Sequence, residues 1–187
     1  MGEVWFTSDT HLGHEFVARI RGYGTVEEHD EAVSRSIHKR VRPGDDLWVL
    51  GDVALGDRAA GLRTIGQWPG RKHLVIGNHD LCHPSMKNAH AHHAEYLEAF
   101  DTVQIAARIR HGGETFLLSH FPYTGKGGRG GPGRFQQWRL PDFGATLIHG
   151  HTHDTDRRTT SPAGTLQLHV GWDAWRGPVS LHEMTRG

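Results

Sequence analysis

The heptapeptide Leu-Val-Ile-Gly-Asn-His-Asp at residues 74–80 joins a short apolar run directly to a polar cluster. Short apolar runs that stop at Gly, Asp, Ser or His are typical of buried β-strands. The same succession recurs four more times, at residues 4–11, 47–52, 116–120 and 146–153. These repeated transitions from strand to polar cluster decide the fold prediction.

Helical patterns separate the predicted strands in the first half of the chain. Three stretches have helical character: residues 26–41, 57–67 and 85–100. Alternation of strand and helix predicts parallel pairing, because parallel strands need a crossover connection. Residues 102–110 are predicted as one further strand, which turns through Gly112 and Gly113 into the strand near Phe116. With another apolar run at residues 166–170, the second half is predicted to be mainly strands, and the whole chain is a mixed α/β domain.

The polar clusters all follow predicted strands, where the loops of an α/β sheet converge on ligands. They supply seven candidate metal ligands: Asp9, His11, Asp52, Asn78, His120, His151 and His153. All seven are oxygen or imidazole donors, a mixture that suits two adjacent divalent ions of the Mn, Fe or Zn kind better than a closed structural zinc site. Two ions roughly 3.5–4 Å apart are the usual apparatus for attack on a phosphoester.

Bulk composition narrows the possible partners. The chain has 187 residues, and its 21 basic and 21 acidic side chains give zero formal charge. Long-range attraction to long nucleic acids or anionic membranes is therefore expected to be weak. A single cysteine, Cys82, excludes an internal disulfide and fits a reducing compartment. No apolar run is long enough to span a membrane, and the start is not an export signal, so the expected location is cytoplasmic. We expect one domain over residues 1–187.

The ordered set of clusters from Val4 to His153 resembles the calcineurin-like metallophosphoesterases. The stretches at residues 170–173 and 178–181 are also similar to the closing segment of small bacterial and phage members. The resemblance implies a four-layer α/β fold, in which two mixed β-sheets pack face to face and are flanked by helices.

The resemblance also implies roles for individual residues. Asp9, His11 and His153 would hold the first metal, Asn78, His120 and His151 the second, and Asp52 would bridge both. A water or hydroxide shared by the ions would be the nucleophile, and His79 would act as general acid toward the leaving oxygen. Asp80 would either orient His79 or cap the following turn. The expected ions are two Mn²⁺, with Fe, Zn, Ni or Co as alternatives.

One departure from the family bears on the substrate. Many phosphatases of this superfamily carry Gly-Asp-x-x-Asp-Arg-Gly, but here Leu55 stands where the second acidic residue would be. An arginine directly before Gly77 is also missing. The phosphate-clamping arginine of those enzymes is therefore not apparent, which favours a phosphodiesterase over a protein phosphatase.

The segment from Pro122 to Pro141 is rich in glycine and contains basic residues close to His120. We expect it to be a cationic loop that meets substrate, the alternative being a solvated insertion. The candidate substrate-binding residues are His14, Lys126, Arg129 and Arg134. Trp138 and Arg139 are candidates for stacking on a base, although Trp138 equally fits a core position.

The preferred function is hydrolysis of a small-molecule phosphodiester, with 2′,3′-cyclic nucleotides as the leading candidates. A phosphomonoesterase or a nuclease of the same superfamily is the alternative, and balanced charge disfavours the nuclease. A non-enzymatic scaffold is disfavoured because the ligand set and His79 are intact. No membrane partner is expected, and the oligomeric state is open.

Overall fold

A computed structural model describes residues 2–125 and 134–186, which form two five-stranded mixed β-sheets with flanking helices. The first sheet has the strand order β10-β1-β2-β3-β4. Its strands are β1 (Val4–Thr7), β2 (Asp46–Val49), β3 (Arg71–Val75), β4 (Thr102–Gln104) and β10 (Val179–Ser180). The second sheet has the order β5-β6-β7-β9-β8. Its strands are β5 (Ala106–His111), β6 (Glu114–Ser119), β7 (Thr146–His149), β8 (Arg158–Thr160) and β9 (Leu166–His169).

Six α-helices accompany these strands in the described part of the chain, along with a short 3₁₀-helix at Gln136–Trp138. The α-helices are α1 (Glu15–Ile20), α2 (Val26–Arg40), α3 (Arg58–Gly66), α4 (Ala89–Leu97), α5 (Trp172–Trp175) and α6 (Leu181–Thr185). The side chains of Thr25 and Asp57 cap α2 and α3 by accepting hydrogen bonds from backbone N–H groups of the first turn. Strands β1 to β4 are parallel, as the alternation of strand and helix predicts. The predicted fold class is confirmed.

The first sheet is apolar on both faces, and alternate residues of one strand enter two different cores. Leu47 and Val49 of β2 pack in the core shared with α2, α3 and α4. Trp48 and Leu50 enter the core between the two sheets, together with Phe116 and other side chains of the second sheet. This period of two is a consequence of strand geometry. The inter-sheet core fixes how the ends of the two sheets face each other.

Two element predictions are wrong in their boundaries. The predicted strand at 102–110 is divided at Ile105, so that β4 belongs to the first sheet and β5 to the second. The predicted helix at 85–100 begins only at Ala89, because Asn88 adopts a left-handed conformation with φ of 58° that a helix cannot contain. The short elements α1, α5, α6, β8 and β10 were not predicted.

Candidate metal centre

The seven predicted ligands lie together at one end of the two sheets. Asp9 and His11 follow β1, Asp52 follows β2, and Asn78 follows β3. His120 follows β6 and the pair His151 and His153 follows β7. Backbone hydrogen bonds join neighbouring loops, with Asp9 N–H donating to the Gly51 carbonyl and Gly150 N–H to the His120 carbonyl, each at 3.0 Å. The strand-end rule therefore predicts the assembly correctly.

A first group consists of Asp9, His11 and His153, whose donor atoms all lie within 4.8 Å of one another. The Nε2 atoms of His11 and His153 are 3.2 Å apart, and His153 Nε2 is 3.7 Å from Asp9 Oδ1. Asp9 is fully buried, and its Oδ1 atom has no hydrogen-bond partner among the described residues. A buried carboxylate oxygen without a donor is costly unless a cation neutralises it.

A second group is built around His120. Its Nδ1–H donates a 2.7 Å hydrogen bond to the Leu50 carbonyl, so the lone pair of the neutral ring is on Nε2. Burial lowers the pKa of His120, which favours that neutral form. Nε2 lies 3.1 Å from Asn78 Oδ1 and 3.2 Å from His151 Nδ1. Nε2 of His120 and Oδ1 of Asn78 both present lone pairs and would repel each other at 3.1 Å, whereas a common cation bound at about 2.0–2.2 Å would hold them together.

Asp52 faces both groups with one oxygen. Its Oδ1 accepts a 2.8 Å hydrogen bond from the backbone N–H of His79. Its Oδ2 lies 4.0 Å from His11 Nε2 and 3.5 Å from His120 Nε2. Burial, reinforced by the nearby charges of Asp9 and Asp80, raises the pKa of Asp52 well above its ordinary value. The donor set of carboxylates, imidazoles and an amide oxygen thus fits two divalent cations on either side of Asp52.

The backbone is strained at most of these positions. Five candidate ligands have positive φ angles, namely Asp9 (56°), His11 (49°), Asp52 (54°), His151 (74°) and His153 (55°). A non-glycine residue in the left-handed region costs of order 1–3 kcal/mol, and such residues cluster at functional sites. Eight non-glycine residues in the described part of the chain have positive φ, and five of them are these candidate ligands, so the strain is concentrated in the loops of the site.

Two glycines allow the loops to approach the carboxylates closely. A Cβ atom at Gly77 would collide with the side chain and backbone N of Asp52. A Cβ atom at Gly150 would collide with the side chains of Ser8 and Asp9. Glycine is therefore required at both positions by space.

Sequence reasoning missed a network that supports His153. The ring Nδ1 of His153 is 2.8 Å from Asp173 Oδ2, and Arg21 donates two hydrogen bonds to the same carboxylate, from Nε at 2.9 Å and Nη2 at 2.8 Å. Arg21 Nη2 also donates at 2.8 Å to the backbone carbonyl of Asp9. Burial lowers the pKa of His153, but the hydrogen bond to Asp173 and the charge of Asp9 outweigh it and raise the pKa. A carboxylate on the outer ring nitrogen orients a histidine ligand and increases its basicity.

Asp80 has a contact pattern that differs from both predicted roles. Oδ2 accepts from Gly77 N–H at 2.7 Å and Asp52 N–H at 3.1 Å, while Oδ1 accepts from Val53 N–H at 3.1 Å. Burial raises the pKa of Asp80 to about 6, despite these hydrogen bonds. The carboxylate braces the loop after β2 against the loop after β3, and its described hydrogen bonds involve neither the His79 ring nor the backbone of the turn that follows Asp80.

A cavity of about 500 Å³ opens above the two groups. His79, His14 and Arg134 line it, as do the candidate ligands His11 and Asn78. The rings of His79 and His14 have centroids 5.9 and 6.0 Å from the His11 ring. Burial lowers the pKa of His79, with contributions from Arg134 and His14 that oppose the charge of Asp9. His79, His14 and Arg134 are therefore positioned to meet a substrate.

Four other residues predicted to meet the substrate lie in the segment from Pro122 to Pro141. Lys126 and Arg129 lie outside the described residues. The guanidinium of Arg139 donates to the Pro122 carbonyl at 2.8 Å, and the Trp138 ring makes an edge contact with His83 at 5.1 Å. Neither Trp138 nor Arg139 is among the residues that line the cavity. The expectation that they stack on a base is not supported, because Arg139 bonds to the start of the loop and Trp138 packs against His83.

Two facing five-stranded sheets that carry Asp, Asn and His clusters at one end define a metallophosphoesterase. The family model for calcineurin-like phosphoesterases matches residues 2–155, and the chain belongs to that family. It is therefore a metal-dependent phosphoesterase, and its two Asp/His groups fit the dinuclear centre of the family.

Relatives of similar length exist in mycobacteriophages. The chain is 41% identical to the Gene 66 protein of Mycobacterium phage L5, over 98% of this chain and 93% of that protein. It is 42% identical to the Gene 66 protein of Mycobacterium phage D29, over 98% and 94% of the two chains. The match over nearly the whole chain extends the relationship beyond the family model to the C-terminal segment that carries Asp173.

Two solved structures share the fold. The Aquifex aeolicus protein of unknown function AQ665 is similar with a TM-score of 0.71 and 27% identity, covering 98% of both chains. The phosphopantetheinyl hydrolase PptH of Mycobacterium tuberculosis has a TM-score of 0.50 and 12% identity, covering 96% of this chain and 95% of its own. The second likeness concerns the fold alone. Among residues 2–125 and 134–186, no helix is both long and apolar enough to cross a membrane.

Proposed function

We propose that this phosphoesterase hydrolyses small phosphodiesters, with 2′,3′-cyclic nucleotides as the leading substrates. The observation that carries the proposal is the position of Asp52 Oδ2 between the two donor groups, 4.0 Å from His11 Nε2 and 3.5 Å from His120 Nε2. A shared carboxylate offsets the repulsion between two adjacent dications, and a pair of such ions is suited to phosphoryl chemistry.

The chain's own residues would divide the metal binding as follows. Asp9, His11 and His153 would hold one ion, Asn78, His120 and His151 would hold the other, and Asp52 would be shared by both. When bound, the ions would neutralise phosphate charge and lower the pKa of a coordinated water. Mn²⁺ is the proposed ion, and the same donors accept Fe, Zn, Ni or Co.

His79 is the proposed proton donor to the leaving oxygen. Its side chain is exposed to the cavity while its backbone N–H is fixed on Asp52 at 2.8 Å. The imidazole therefore stands beside the proposed phosphate position without needing to serve as a ligand. A positioned acid of this kind typically contributes about 10²–10⁴-fold to the rate.

The charge of the cavity favours a diester over a monoester. Of the described residues that line it, Arg134 is the side chain with a permanent positive charge. A phosphodiester carries one negative charge, whereas a monoester carries close to two at neutral pH. Within the described lining, one such cation beside the ions matches the single charge of a diester better than the double charge of a monoester. His14 and Arg134 are the proposed substrate contacts, and the contributions of Lys126 and Arg129 remain proposals from the sequence.

The assignment is tested by activity and metal content together. Purified protein loaded with Mn²⁺ is expected to hydrolyse bis-p-nitrophenyl phosphate and 2′,3′-cyclic nucleotides faster than p-nitrophenyl phosphate, and to contain two ions per chain. Asp52→Ala and Asn78→Ala should lose activity and metal, and full turnover in either variant would refute the assignment. Faster cleavage of the monoester or of single-stranded DNA would favour the alternative enzymes. Two ions per chain would argue against a scaffold.

A further inference from the structure

Apolar side chains from two segments of the chain line part of the cavity above the metal groups. Phe16, Val17 and Ile20 of α1 line it together with Leu55, which follows β2. Phe135 lines it as well, on the segment that follows β6. The polar residues that line the cavity include His79 and the candidate ligands. A phosphate seated on those ligands would therefore have apolar surface beside it.

Ile20 is an exposed apolar residue that lines the cavity. Its side chain is 58% exposed, whereas its helix neighbours Val17 and Ala18 are buried. Three other large apolar side chains are exposed in the described part of the chain, Leu97, Ile105 and Phe143, and none of them lines the cavity. Ile20 lines the cavity together with Phe16, Val17 and Leu55, and several apolar side chains gathered beside a polar site are typical of a ligand-binding surface.

The aromatic rings are held close to the donor groups. The Phe135 ring makes an edge contact with His151 at 5.6 Å and stacks on Phe121 at 5.2 Å. On the other segment, the Phe16 ring is 6.3 Å from the ring of His14, which in turn is 6.0 Å from His11. Both phenylalanines are thus one or two ring contacts away from a candidate ligand. A group attached to a bound phosphate would come within reach of them.

We propose that Phe16, Ile20, Leu55 and Phe135 form a base-binding subsite, which receives the planar heteroaromatic group of a nucleotide phosphodiester. The inference rests on the proposed function and adds to it the residues that select the substrate. A cavity of about 500 Å³ is within the usual size range for small-molecule sites. Aromatic and branched apolar side chains recognise the faces of a base without hydrogen-bond readout, so the subsite discriminates base-bearing from base-free diesters more than one base from another.

The subsite is tested with two pairs of matched variants. Ile20→Ala removes an exposed isoleucine at the cavity, and Ile105→Ala removes one that is 43% exposed elsewhere. Phe16→Ala is paired with Phe143→Ala, at a phenylalanine that is 91% exposed outside the cavity. Neither Phe16 nor Ile20 belongs to the two hydrophobic cores, so the subsite variants are expected to fold.

The kinetic comparison uses 2′,3′-cyclic AMP and glycerol 1,2-cyclic phosphate, which has the same cyclic diester but no base. Ile20→Ala and Phe16→Ala should each raise KM for cyclic AMP by about 5-fold or more, in line with the measured value of base stacking. In these two variants, kcat for cyclic AMP should change little. For glycerol 1,2-cyclic phosphate, kcat and KM should both stay close to the wild-type values. The control variants should behave like the wild type with both substrates. Equal losses on both substrates would overturn the subsite.

A binding measurement separates failure of the subsite from failure of the proposed function. Calorimetry of the Mn²⁺-loaded wild type should give at least about 5-fold tighter binding of AMP than of ribose 5-phosphate, and the two subsite variants should lose that preference. Tighter binding of AMP would support the subsite even if no diester is hydrolysed. Absence of hydrolysis would refute only the proposed reaction. Equal affinity for AMP and ribose 5-phosphate in the wild type would overturn the subsite while leaving the hydrolase assignment intact.

Discussion

The backbone N–H of His79 donates a 2.8 Å hydrogen bond to Oδ1 of Asp52, which turns Oδ2 of the carboxylate toward both donor groups. The proposed acid and the proposed shared ligand are therefore held in one arrangement by the main chain. Because this contact does not involve the imidazole, the side chain of His79 can be changed without releasing Asp52. The same contact makes the two roles separable by experiment.

Replacing His79 by Gln should remove the proton donor and retain two metal ions per chain. The rate with a poor leaving group, such as the ribose hydroxyl of a 2′,3′-cyclic nucleotide, should fall by about 10²–10⁴-fold. Hydrolysis of bis-p-nitrophenyl phosphate should fall much less, since nitrophenolate leaves without protonation. Steady-state kinetics and metal analysis provide the comparison. Equal losses on the two substrates, or loss of metal, would show that His79 is structural or a ligand.

Replacing Asp173 by Asn should weaken metal binding by about 10–100-fold, because His153 would lose the carboxylate that orients its ring. Asp46 offers a matched control, since it also accepts two hydrogen bonds from an arginine, Arg71, and one from a histidine, His73. Asp46→Asn should leave metal affinity unchanged. Titration of the metal-free protein with Mn²⁺ measures both variants. Similar affinities for Asp173→Asn and the wild type would remove the supporting role.

Removing the metal should lower the melting temperature. Each proposed ion would contact loops from both sheets, so ion binding favours the folded state over the unfolded chain. At a free concentration of about 100 times Kd, binding adds about 2.7 kcal/mol per ion. Thermal melts with excess Mn²⁺ and with a chelator give the difference. Asp52→Asn should show a smaller shift, and an identical shift in that variant would contradict its proposed place between the ions.

A methyl group at Gly77 should damage the site, whereas one at Gly44 should be tolerated. The Cβ of Gly77→Ala would collide with Asp52, while no atom lies within 4 Å of the corresponding position at Gly44. We expect Gly77→Ala to cost about 1–3 kcal/mol of stability and most of the metal affinity. Denaturant unfolding and metal content are the measurements. Unaltered metal content in Gly77→Ala would mean that the loop can move aside.

Asp45 should contribute to stability in a pH-dependent way far from the metal site. Its oxygens accept from the backbone N–H groups of Glu3 and Arg42 and from the indole of Trp5. Burial raises the pKa of Asp45, but these hydrogen bonds outweigh it and lower the pKa. The stabilisation is thus fully present above the unfolded pKa of about 3.9 and is lost as the pH falls toward the folded value.

The variant Asp45→Asn should accordingly be less stable than the wild type at pH 7, by about 1–3 kcal/mol. The difference should shrink as unfolding is measured at pH values below about 3.9. Asp156→Asn, at an exposed aspartate, should change stability by less than about 0.5 kcal/mol at either pH. A pH-independent difference for Asp45→Asn would point to packing rather than charge.

The sequence predicts that the candidate ligands converge, because strand ends meet by a general rule. Asp9, Asp52 and His120 follow strands of strong apolar character, so their neighbourhood can be anticipated without coordinates. Arg21 and Asp173 could not be found in this way. They are 152 residues apart, Arg21 does not follow a predicted strand, and no local pattern pairs it with Asp173, which lies three residues beyond the predicted strand at 166–170. Their contact depends on how the end of α1 meets the start of α5, which no local pattern encodes.

The division of residues 102–110 between two sheets is similarly invisible in the sequence. Both halves have extended character, and only the docking of the second sheet onto the first requires the chain to leave one sheet at Ile105 and enter the other. The left-handed conformations of His11 and Asp52 were also not predicted, since Asp and His adopt other conformations far more often and no glycine stands at these positions. The apolar lining from Phe16 to Leu55 was missed because α1 is too short to show a helical period.

The donor residues of each group come from loops of both halves of the molecule, and the layer of side chains between Phe6 and Phe116 sets the spacing of those halves. The thickness of that layer therefore sets the distance between the donor atoms of the two halves. A substitution in the layer, remote from any donor atom, would shift one half relative to the other and weaken ion binding without changing a ligand.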